Sequence, residues 1–581
     1  MNDMAIKEDD LLKKTLKKFL KNPLEALKFY ASPNRVKWYI NKKSGKLPSM
    51  FPADNMRILP KIKKAIIKKV TADGITKNCI ITNSNFSFTT NKIKIKKKDM
   101  LSFSIRLNKE IKGSILFRVT VNKDIIFLRK ISIESFKTMD WLDINLDLNK
   151  YKNKDIKIKF STEDESKKNS KESIIWSEPI ILNKNQKKTN IILISLDCCR
   201  KDHLSCYGYY RKTTPNIDKL NTIKFDNVFS QTVWTDHSHK VMFTSLYPIT
   251  QRWYEKTNKK IIFLSEILRN NGYITYSNNG ATRLGPEIIN KGFDYFIYKK
   301  LDRKNNISSA EDIINSSIKF IKSINENPFF MFLHFMEAHE PYDIPNPYHF
   351  YFNKNYTGDI DIHTFKTKLK KGEINIKGLS KKDINYLIGL YDAGIKYFDE
   401  EIGKLINFLK NNNTHDNTLI IITADHAEEF MEHGYLYHYK FYDETINVPL
   451  IIKLPKGFNK KNINKKAMIE LIDISPTIMK IIGLKSLKNM QGKSVFNKKE
   501  SDLAFSEHWT TESNKRFCFS IRSNKFKYIY TKNMKSKEVT EELYDITKDS
   551  KEKNNIADKN KKIIRLIREE KENYFKKNER I

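Results

Sequence analysis

The sequence predicts an α/β protein: a mixed, mostly parallel sheet between helices, preceded by an N-terminal β-sandwich and followed by a small C-terminal α+β subdomain. From residue 190, apolar runs such as IILISL, PFFMFLHFM and TLIIITADH alternate with helical stretches, which is typical of strands buried on both faces. Before residue 186, runs such as SILFRVTV alternate with period two, as antiparallel strands do. After residue 500, IRSNKFKYIYT and EELYD indicate short strands before a charged terminal helix.

These changes of pattern divide the 581 residues into four predicted segments. They are a helical segment at 1–58, a jelly-roll-like sandwich at 59–186, the α/β domain at 187–500 and its C-terminal subdomain at 501–581. Apolar residues within 7–31 share one face opposite lysines, so this helix either lies on a membrane surface or packs on the protein. The sandwich either binds sugars or serves as a scaffold.

The composition excludes several classes of partner. A net charge of +39 favours a polyanion, but the lysines are spread along the whole chain and no nucleic-acid-binding motif accompanies them, so we expect no nucleic-acid partner. The five cysteines form no paired framework. Neither a signal-peptide core nor a run of about 18 apolar residues is present. We therefore expect a cytoplasmic or peripheral membrane protein with no transmembrane segment.

Catalytic residue types follow the predicted strands of the α/β region. An acid or imidazole at a strand's carboxyl end lies where such sheets bind ligands. Thr235 differs, since it stands where an extended run meets a helix start and its hydroxyl would lie at a positive helix end. The strand-end residues are Asp197, the pair His334 and His339, and the group Asp425, His426, His433 and His438.

A subset of these residues has the chemistry of a metal site. Asp197, Thr235, Asp425 and His426 offer the hard oxygen and imidazole ligands that suit one divalent ion, namely Mn, Zn, Mg or Ca. A threonine hydroxyl is a poor nucleophile at neutral pH, and coordination to a dication favours its alkoxide. Such an oxygen suits a phosphorus or sulfur ester. No G-x-S-x-G elbow, P-loop or G-x-G-x-x-G motif is present.

The motifs around these residues resemble those of the sulfatase family, within the alkaline phosphatase superfamily. The resemblance covers about 190 to 560 and implies an alkaline-phosphatase-like fold. The matching segments are SLDCCRKDHLSCYGYYRKTTPNIDKL for the first metal motif, VWTDHSHKVMFTSLYP for the nucleophile loop, ADHAEEFMEHGYLYH for the second metal motif, and LIDISPTIMKIIG, MQGKS and ELYDITKDSKEKNNIA for the C-terminal signatures.

The resemblance implies a role for each matching position. Asp197, Asp425 and His426 would hold the metal, and Thr235 would be both ligand and nucleophile. His339 and His438 would bind the ester oxygens or protonate the leaving group. His239 and Lys240, beside the nucleophile, are further substrate-binding candidates.

One departure from the family motif carries the functional prediction. Sulfatases use a formylglycine made from Cys or Ser in a C/S-x-P/A-x-R motif, whereas this chain has Thr235 in TDHSH. Threonine cannot become that aldehyde, so no formylglycine is expected. A sulfated threonine would be a stable ester, whereas a phosphothreonine can be resolved by a second displacement. Cys198 stands where many sulfatases carry a metal-binding Asp, which indicates either one metal or a thiolate favouring Zn.

The sequence therefore predicts a metal-dependent phosphodiesterase or phosphotransferase with a threonine nucleophile. It would be similar to threonine-using relatives such as phosphoethanolamine and phosphoglycerol transferases. The first alternative is a sulfuric ester hydrolase, and the second is a non-catalytic glycan-binding protein. The substrate would be a phosphate or sulfate ester, and the sequence does not decide whether a glycan or a lipid carries it. Contact with a membrane surface also stays open.

Overall fold

The N-terminal part of the described chain consists of strands. The computed structural model describes residues 56–57, 66–72, 75–107, 114–132, 141–164, 174–183, 188–256, 260–298, 308–324, 326–459, 463–500, 502–509 and 516–578. The helical segment predicted for residues 1–58 lies outside these ranges, apart from Met56–Arg57. The strands are β1 (Met56–Arg57), β2 (Ile66–Ala72), β3 (Ile75–Thr82), β4 (Phe86–Thr89), β5 (Ile93–Lys94), β6 (Asp99–Leu107), β7 (Ser114–Val121), β8 (Asp124–Ser132), β9 (Leu142–Asp147), β10 (Asp155–Ile156), β11 (Ile158–Asp164), β12 (Ile174–Ser177) and β13 (Ile180–Asn183).

Strands from two sheets of this region share one apolar core. One sheet has the order β4-β11-β7-β8, and the other includes the path β1-β13-β6-β12-β3. Strand β7 alternates buried and half-buried side chains, because successive residues of a strand point to opposite faces. The buried Trp176 ring lies 5.1 Å from the Phe117 ring and 5.6 Å from the Phe160 ring. The jelly-roll-like connectivity and the segment boundaries stay predictions.

Replacing Trp176 with alanine is expected to destabilise this core. Removing a buried tryptophan leaves a cavity and typically costs about 3–5 kcal/mol of unfolding free energy. Denaturant unfolding followed by far-UV circular dichroism measures the loss. The control is Leu128→Ala, because the Leu128 side chain is exposed and its removal should change the midpoint little. A midpoint equally unchanged for Trp176→Ala would contradict the packing described.

From residue 190, strands alternate with helices. The strands are β14 (Asn190–Leu196), β15 (Ile223–Lys224), β16 (Asn227–Phe229), β17 (Ile274–Asn279), β18 (Tyr295–Tyr298), β19 (Phe329–Phe335), β20 (Thr418–Thr423), β21 (Glu429–Phe430), β22 (Leu436–Tyr437), β23 (Leu450–Lys453) and β24 (Met468–Glu470). The helices are α1 (Pro215–Asp218), α2 (Thr235–Thr244), α3 (Pro248–Lys256), α4 (Leu264–Asn270), α5 (Ala310–Ser323), α6 (Ile362–Lys370), α7 (Lys381–Asn411), α8 (Asp443–Ile446) and α9 (Ile474–Ile481).

The centre of this sheet is parallel. Strand β14 pairs in parallel with β19 on one side and β20 on the other, and β17 pairs in parallel with β19. Every residue of these four strands is buried, as expected for a parallel sheet covered on both faces. Parallel pairing places their carboxyl ends on one edge, so the loops that follow them meet there.

One of the N-terminal sheets continues into the sheet of the α/β region. Strand β18 pairs antiparallel with β3, which joins the two regions into a sheet of fourteen strands. A separate antiparallel sheet follows, made of β25 (Ala504–Trp509), β26 (Arg516–Arg522), β27 (Phe526–Asn533) and β28 (Val539–Asp545), before helix α10 (Lys561–Asn578). The predicted α/β fold class is confirmed. Among the described residues, none of the helices combines the length and the apolarity needed to cross a membrane.

Candidate active site

Three chain segments converge at the carboxyl edge of the parallel strands. Asp197 directly follows β14, and Asp425 and His426 lie just beyond the end of β20. Thr235 is the first residue of α2, after the extended residue Trp234. The Ser238 hydroxyl of the same helix donates a 2.7 Å hydrogen bond to the Asp425 carbonyl, which ties the start of α2 to the end of β20.

The four predicted metal ligands lie close together. One oxygen from Asp197, one from Asp425 and a ring nitrogen of His426 all lie within 4.8 Å of one another. The Nε2 atom of His426 is 3.4 Å from Asp425 Oδ2 and 3.7 Å from Asp197 Oδ1. The Thr235 hydroxyl is 3.4 Å from Asp197 Oδ2. All four side chains are buried.

The donor atoms of this group fit a cation. Within the described part of the chain, Asp197 Oδ1, Asp425 Oδ2 and His426 Nε2 are buried without a hydrogen-bond partner, an arrangement that is costly unless something binds there. Burial and the neighbouring Asp197 charge raise the pKa of Asp425 to about 6. Burial opposes ionisation of Asp197 too, but the facing His339, His334 and His426 hold its pKa well below the usual value. Two carboxylates and an imidazole suit a divalent ion.

Two predicted substrate histidines are held by backbone carbonyls. His339 Nδ1 lies 2.6 Å from the Glu340 carbonyl, and His438 Nδ1 lies 2.8 Å from the Val233 carbonyl. A carbonyl accepts only, so Nδ1 carries a proton in both rings. The His438 ring centre is 4.2 Å from that of His426 and 6.1 Å from that of His339. Burial and both neighbouring imidazoles lower the pKa of His438 well below its ordinary value.

His239 and Lys240 differ in where the structure places them. His239 is fully buried, with Nδ1 2.7 Å from the Thr235 carbonyl and Nε2 3.0 Å from the Ser195 hydroxyl. Burial lowers its pKa to about 3. Its two contacts join the start of α2 to strand β14. Lys240 is half-buried, with Nζ 3.9 Å from a Glu255 carboxylate oxygen. Their substrate-binding roles stay predictions.

The structure adds two residues to the surroundings of Asp197. His334 Nε2 lies 3.2 Å from Asp197 Oδ2, although the sequence left its role open. Cys198 adopts a positive φ of 61°, and its sulfur lies 3.7 Å from His426 Nδ1. Burial, followed by the facing Glu428 charge, raises the pKa of the Cys198 thiol well above its ordinary value.

Sequence reasoning missed a stack beside the nucleophile. The His508 ring, from β25, is stacked on the Trp234 ring at 5.4 Å and 18°. The Arg283 guanidinium carbon is 5.5 Å from the centre of the same ring. Arg283 follows strand β17, so the reasoning that found Asp197 and Asp425 could also have found it. His508 comes from a distant segment, and no local pattern indicates it.

Comparison with protein families identifies the chain once this geometry is known. The fold and the site define an α/β protein whose parallel sheet carries, at its carboxyl edge, a donor set that suits a divalent cation. The model of the sulfatase family matches residues 189–484, and the model described as "N-sulphoglucosamine sulphohydrolase, C-terminal" matches residues 431–578. The chain belongs to the sulfatase family, whose enzymes depend on a divalent cation.

Similar proteins carry sulfatase names. An N-acetylglucosamine-6-O-sulfatase of Bacteroides thetaiotaomicron is 28% identical over 223 residues, which are 35% of this chain and 39% of that protein. An arylsulfatase of Clostridium perfringens is 23% identical over 441 residues, which are 64% of this chain and 90% of that protein. The chain thus spans under half of the first relative's length and most of the second's.

Solved structures share the fold. The yidJ protein of Bacteroides fragilis has a TM-score of 0.56 at 21% identity, covering 68% of this chain and 97% of that one. BT4656, solved with its substrate D-glucosamine-2-N,6-O-disulfate, has a TM-score of 0.51 at 20% identity, covering 67% of this chain and 98% of that one. At these identities the likeness concerns the fold.

The predicted phosphodiesterase or phosphotransferase activity is wrong. The relatives are named as sulfatases, which favours the alternative, sulfuric ester hydrolysis. The prediction depended on one residue, Thr235. Sulfate and phosphate esters both present a tetrahedral group with anionic oxygens, so the same acids and histidines can serve either one. Similarity over the whole domain is therefore stronger evidence than the nucleophile position alone.

Proposed function

We propose that this protein hydrolyses sulfate esters of glycans, with sulfated amino sugars as the substrate class. The observation that carries the proposal is the cluster of unpartnered buried donors of Asp197, Asp425 and His426 around the Thr235 hydroxyl. The names of the relatives support a sulfate ester, and the glucosamine disulfate bound by BT4656 supports an amino sugar. The sandwich strands and the basic surface are compatible with an anionic glycan.

The divalent ion of this family would be held by Asp197, Asp425 and His426, with the Thr235 hydroxyl as a further ligand. When bound, it supplies Lewis acid chemistry, polarising a sulfate oxygen and lowering the pKa of a nearby hydroxyl. The protein orients the remaining groups. Thr235 lies at the N-terminus of the ten-residue helix α2, and the positive end of that helix favours negative charge on its oxygen.

In the proposed reaction, unmodified Thr235 is the nucleophile. Its oxygen forms a bond to sulfur while the bond between sulfur and the sugar oxygen breaks. The proton that the Thr235 hydroxyl loses ends on the leaving sugar oxygen, relayed through His339 or His438. Water then attacks the sulfothreonine, which releases inorganic sulfate and restores the hydroxyl. No formylglycine takes part, because the methyl group on the threonine Cβ bars an aldehyde. Hydrolysis of the stable sulfothreonine ester would be the slow step.

A panel of small esters tests this function. With Mn, Zn, Mg or Ca supplied in turn, we expect turnover of 4-nitrophenyl sulfate or glucosamine 6-sulfate to exceed that of bis(4-nitrophenyl) phosphate at least about tenfold. The reason is that a sulfate monoester leaves three terminal oxygens for the cation and the histidines to bind, whereas a phosphodiester leaves two. The readouts are released nitrophenol and inorganic sulfate, with chelated protein as control. Faster phosphodiester turnover, or none of any ester, would contradict the proposal.

A further inference from the structure

Arg283 lies on the same edge of the sheet as the candidate active site. It occupies a short 3-10 turn (Thr282–Leu284) that follows strand β17. The last residue of β17, Asn279, pairs with His334 of the neighbouring parallel strand. The loop after β17 therefore opens beside the loops that carry His339 and Asp197, and it adds a cation to that edge.

A fixed aromatic ring positions Arg283 next to the nucleophile. Its guanidinium carbon lies 5.5 Å from the centre of the Trp234 ring, within the range of a cation–π interaction. Trp234 immediately precedes Thr235, and its ring centre is 6.3 Å from that of His438. The stacked His508 ring holds Trp234 in place, and His508 Nδ1 in turn lies 3.5 Å from the Thr232 hydroxyl.

Arg283 also differs in its partners from several other arginines of the described chain. Its side chain is exposed, and among the described residues no acidic oxygen lies within 4.0 Å of its guanidinium. By contrast, ion pairs to carboxylates are made by Arg200, Arg211, Arg269, Arg522 and Arg568. A guanidinium stacked on a ring keeps its in-plane N–H donors for an anion, and its planar fork matches a sulfate or carboxylate.

We infer that Arg283 forms a subsite for a second anionic group on the same glycan as the scissile sulfate. The favoured substrates are then amino sugars or oligosaccharides that carry a further sulfate or a carboxylate near the reacting ester. Trp234 and His508 are positioning residues for this guanidinium. The inference rests on the proposed sulfate ester hydrolysis and names the feature by which the site selects among sulfated sugars.

The test compares Arg283→Leu with Arg252→Leu. Arg252 is a matched control, because it is also exposed and its guanidinium carbon lies 4.8 Å from a tryptophan ring, that of Trp509. Trp509 follows His508 in β25, so their side chains point to opposite faces of the strand. The substrates are glucosamine 6-sulfate, glucosamine 2-N,6-O-disulfate and a 6-sulfated disaccharide containing a uronate.

We expect kcat/KM for the disulfate, divided by that for the monosulfate, to fall about tenfold in Arg283→Leu. The same ratio should stay unchanged in Arg252→Leu. The kcat/KM for the uronate disaccharide is divided by that for the monosulfate in the same way. If only the disulfate ratio falls in Arg283→Leu, the subsite binds sulfate. If only the uronate ratio falls, it binds a carboxylate. Arg283→Lys should recover part of the ratio, since it keeps the charge without the planar fork. Equal ratios in Arg283→Leu and wild type would overturn the inference.

Calorimetry separates this inference from the proposed function. If wild-type protein hydrolyses none of the sugars, the proposed hydrolysis fails, and the subsite is judged by binding of the disulfate alone. Weaker disulfate binding by Arg283→Leu than by Arg252→Leu then supports the subsite, and equal binding overturns it. Thermal unfolding of both variants establishes that they are folded.

Discussion

Replacing Thr235 with alanine is expected to lower kcat for sulfate ester hydrolysis by at least about a thousandfold, since removal of a nucleophile eliminates the covalent route. The hydroxyl lies 3.4 Å from Asp197 Oδ2 at the start of α2. Thr235→Ser keeps an oxygen at that position and should retain part of the activity. Mass spectrometry of acid-quenched wild-type enzyme should find a sulfo group on Thr235.

Thr244→Ala is the matched control for this substitution. Thr244 lies in the last turn of the same helix and donates its hydroxyl hydrogen bond to the Lys240 carbonyl at 2.6 Å. Its replacement removes a threonine hydroxyl from α2 without touching the acids or histidines of the site. We expect nearly full activity in this variant. Full activity in Thr235→Ala, or sulfation at another residue, would refute the nucleophile assignment.

Replacing Asp425 with asparagine is expected to abolish metal binding and with it the activity. The substitution removes one of two carboxylates whose oxygens lie near His426 Nε2, so the dication loses a charged ligand. In wild type, a metal at a hundred times its Kd should add about 2.7 kcal/mol of unfolding free energy. That stabilisation should disappear in Asp425→Asn. Elemental analysis and thermal unfolding with Mn, Zn, Mg or Ca measure both effects.

With metal, wild type should be more stable than Asp425→Asn. Without metal, we expect Asp425→Asn to be the more stable of the two. Without a cation, Asp425 is buried beside Asp197, and asparagine removes that like-charge repulsion, so metal-free Asp425→Asn should unfold at a higher temperature than metal-free wild type. Asp416→Asn is the control, because Asp416 is exposed at the surface and paired with Lys456. Equal metal content in Asp425→Asn and wild type would exclude this carboxylate as a ligand.

Much of the candidate site can be predicted from the sequence, because its acids lie directly after buried strands. A buried run that stops at an acid indicates both a parallel strand and its ligand-binding end, and this rule predicts Asp197 and Asp425 from the sequence alone. Arg283 also lies after a buried strand. The sequence does not single it out, since an arginine in a loop is usually a solvated surface residue. The prediction of a phosphoester substrate is wrong because the chemistry of Thr235 alone does not select between phosphate and sulfate.

Sequence by itself determined the α/β alternation and the strand-rich N-terminal region, and it predicted the candidate acids, hydroxyl and imidazoles, because periodicity and turn chemistry are local properties of the chain. Only the tertiary structure decided that His239 Nε2 contacts the Ser195 hydroxyl, that the His508 ring stacks on Trp234, and that β18 pairs with β3. These contacts join segments separated by up to hundreds of residues, and such pairings depend on shape and burial, which no short window of sequence contains.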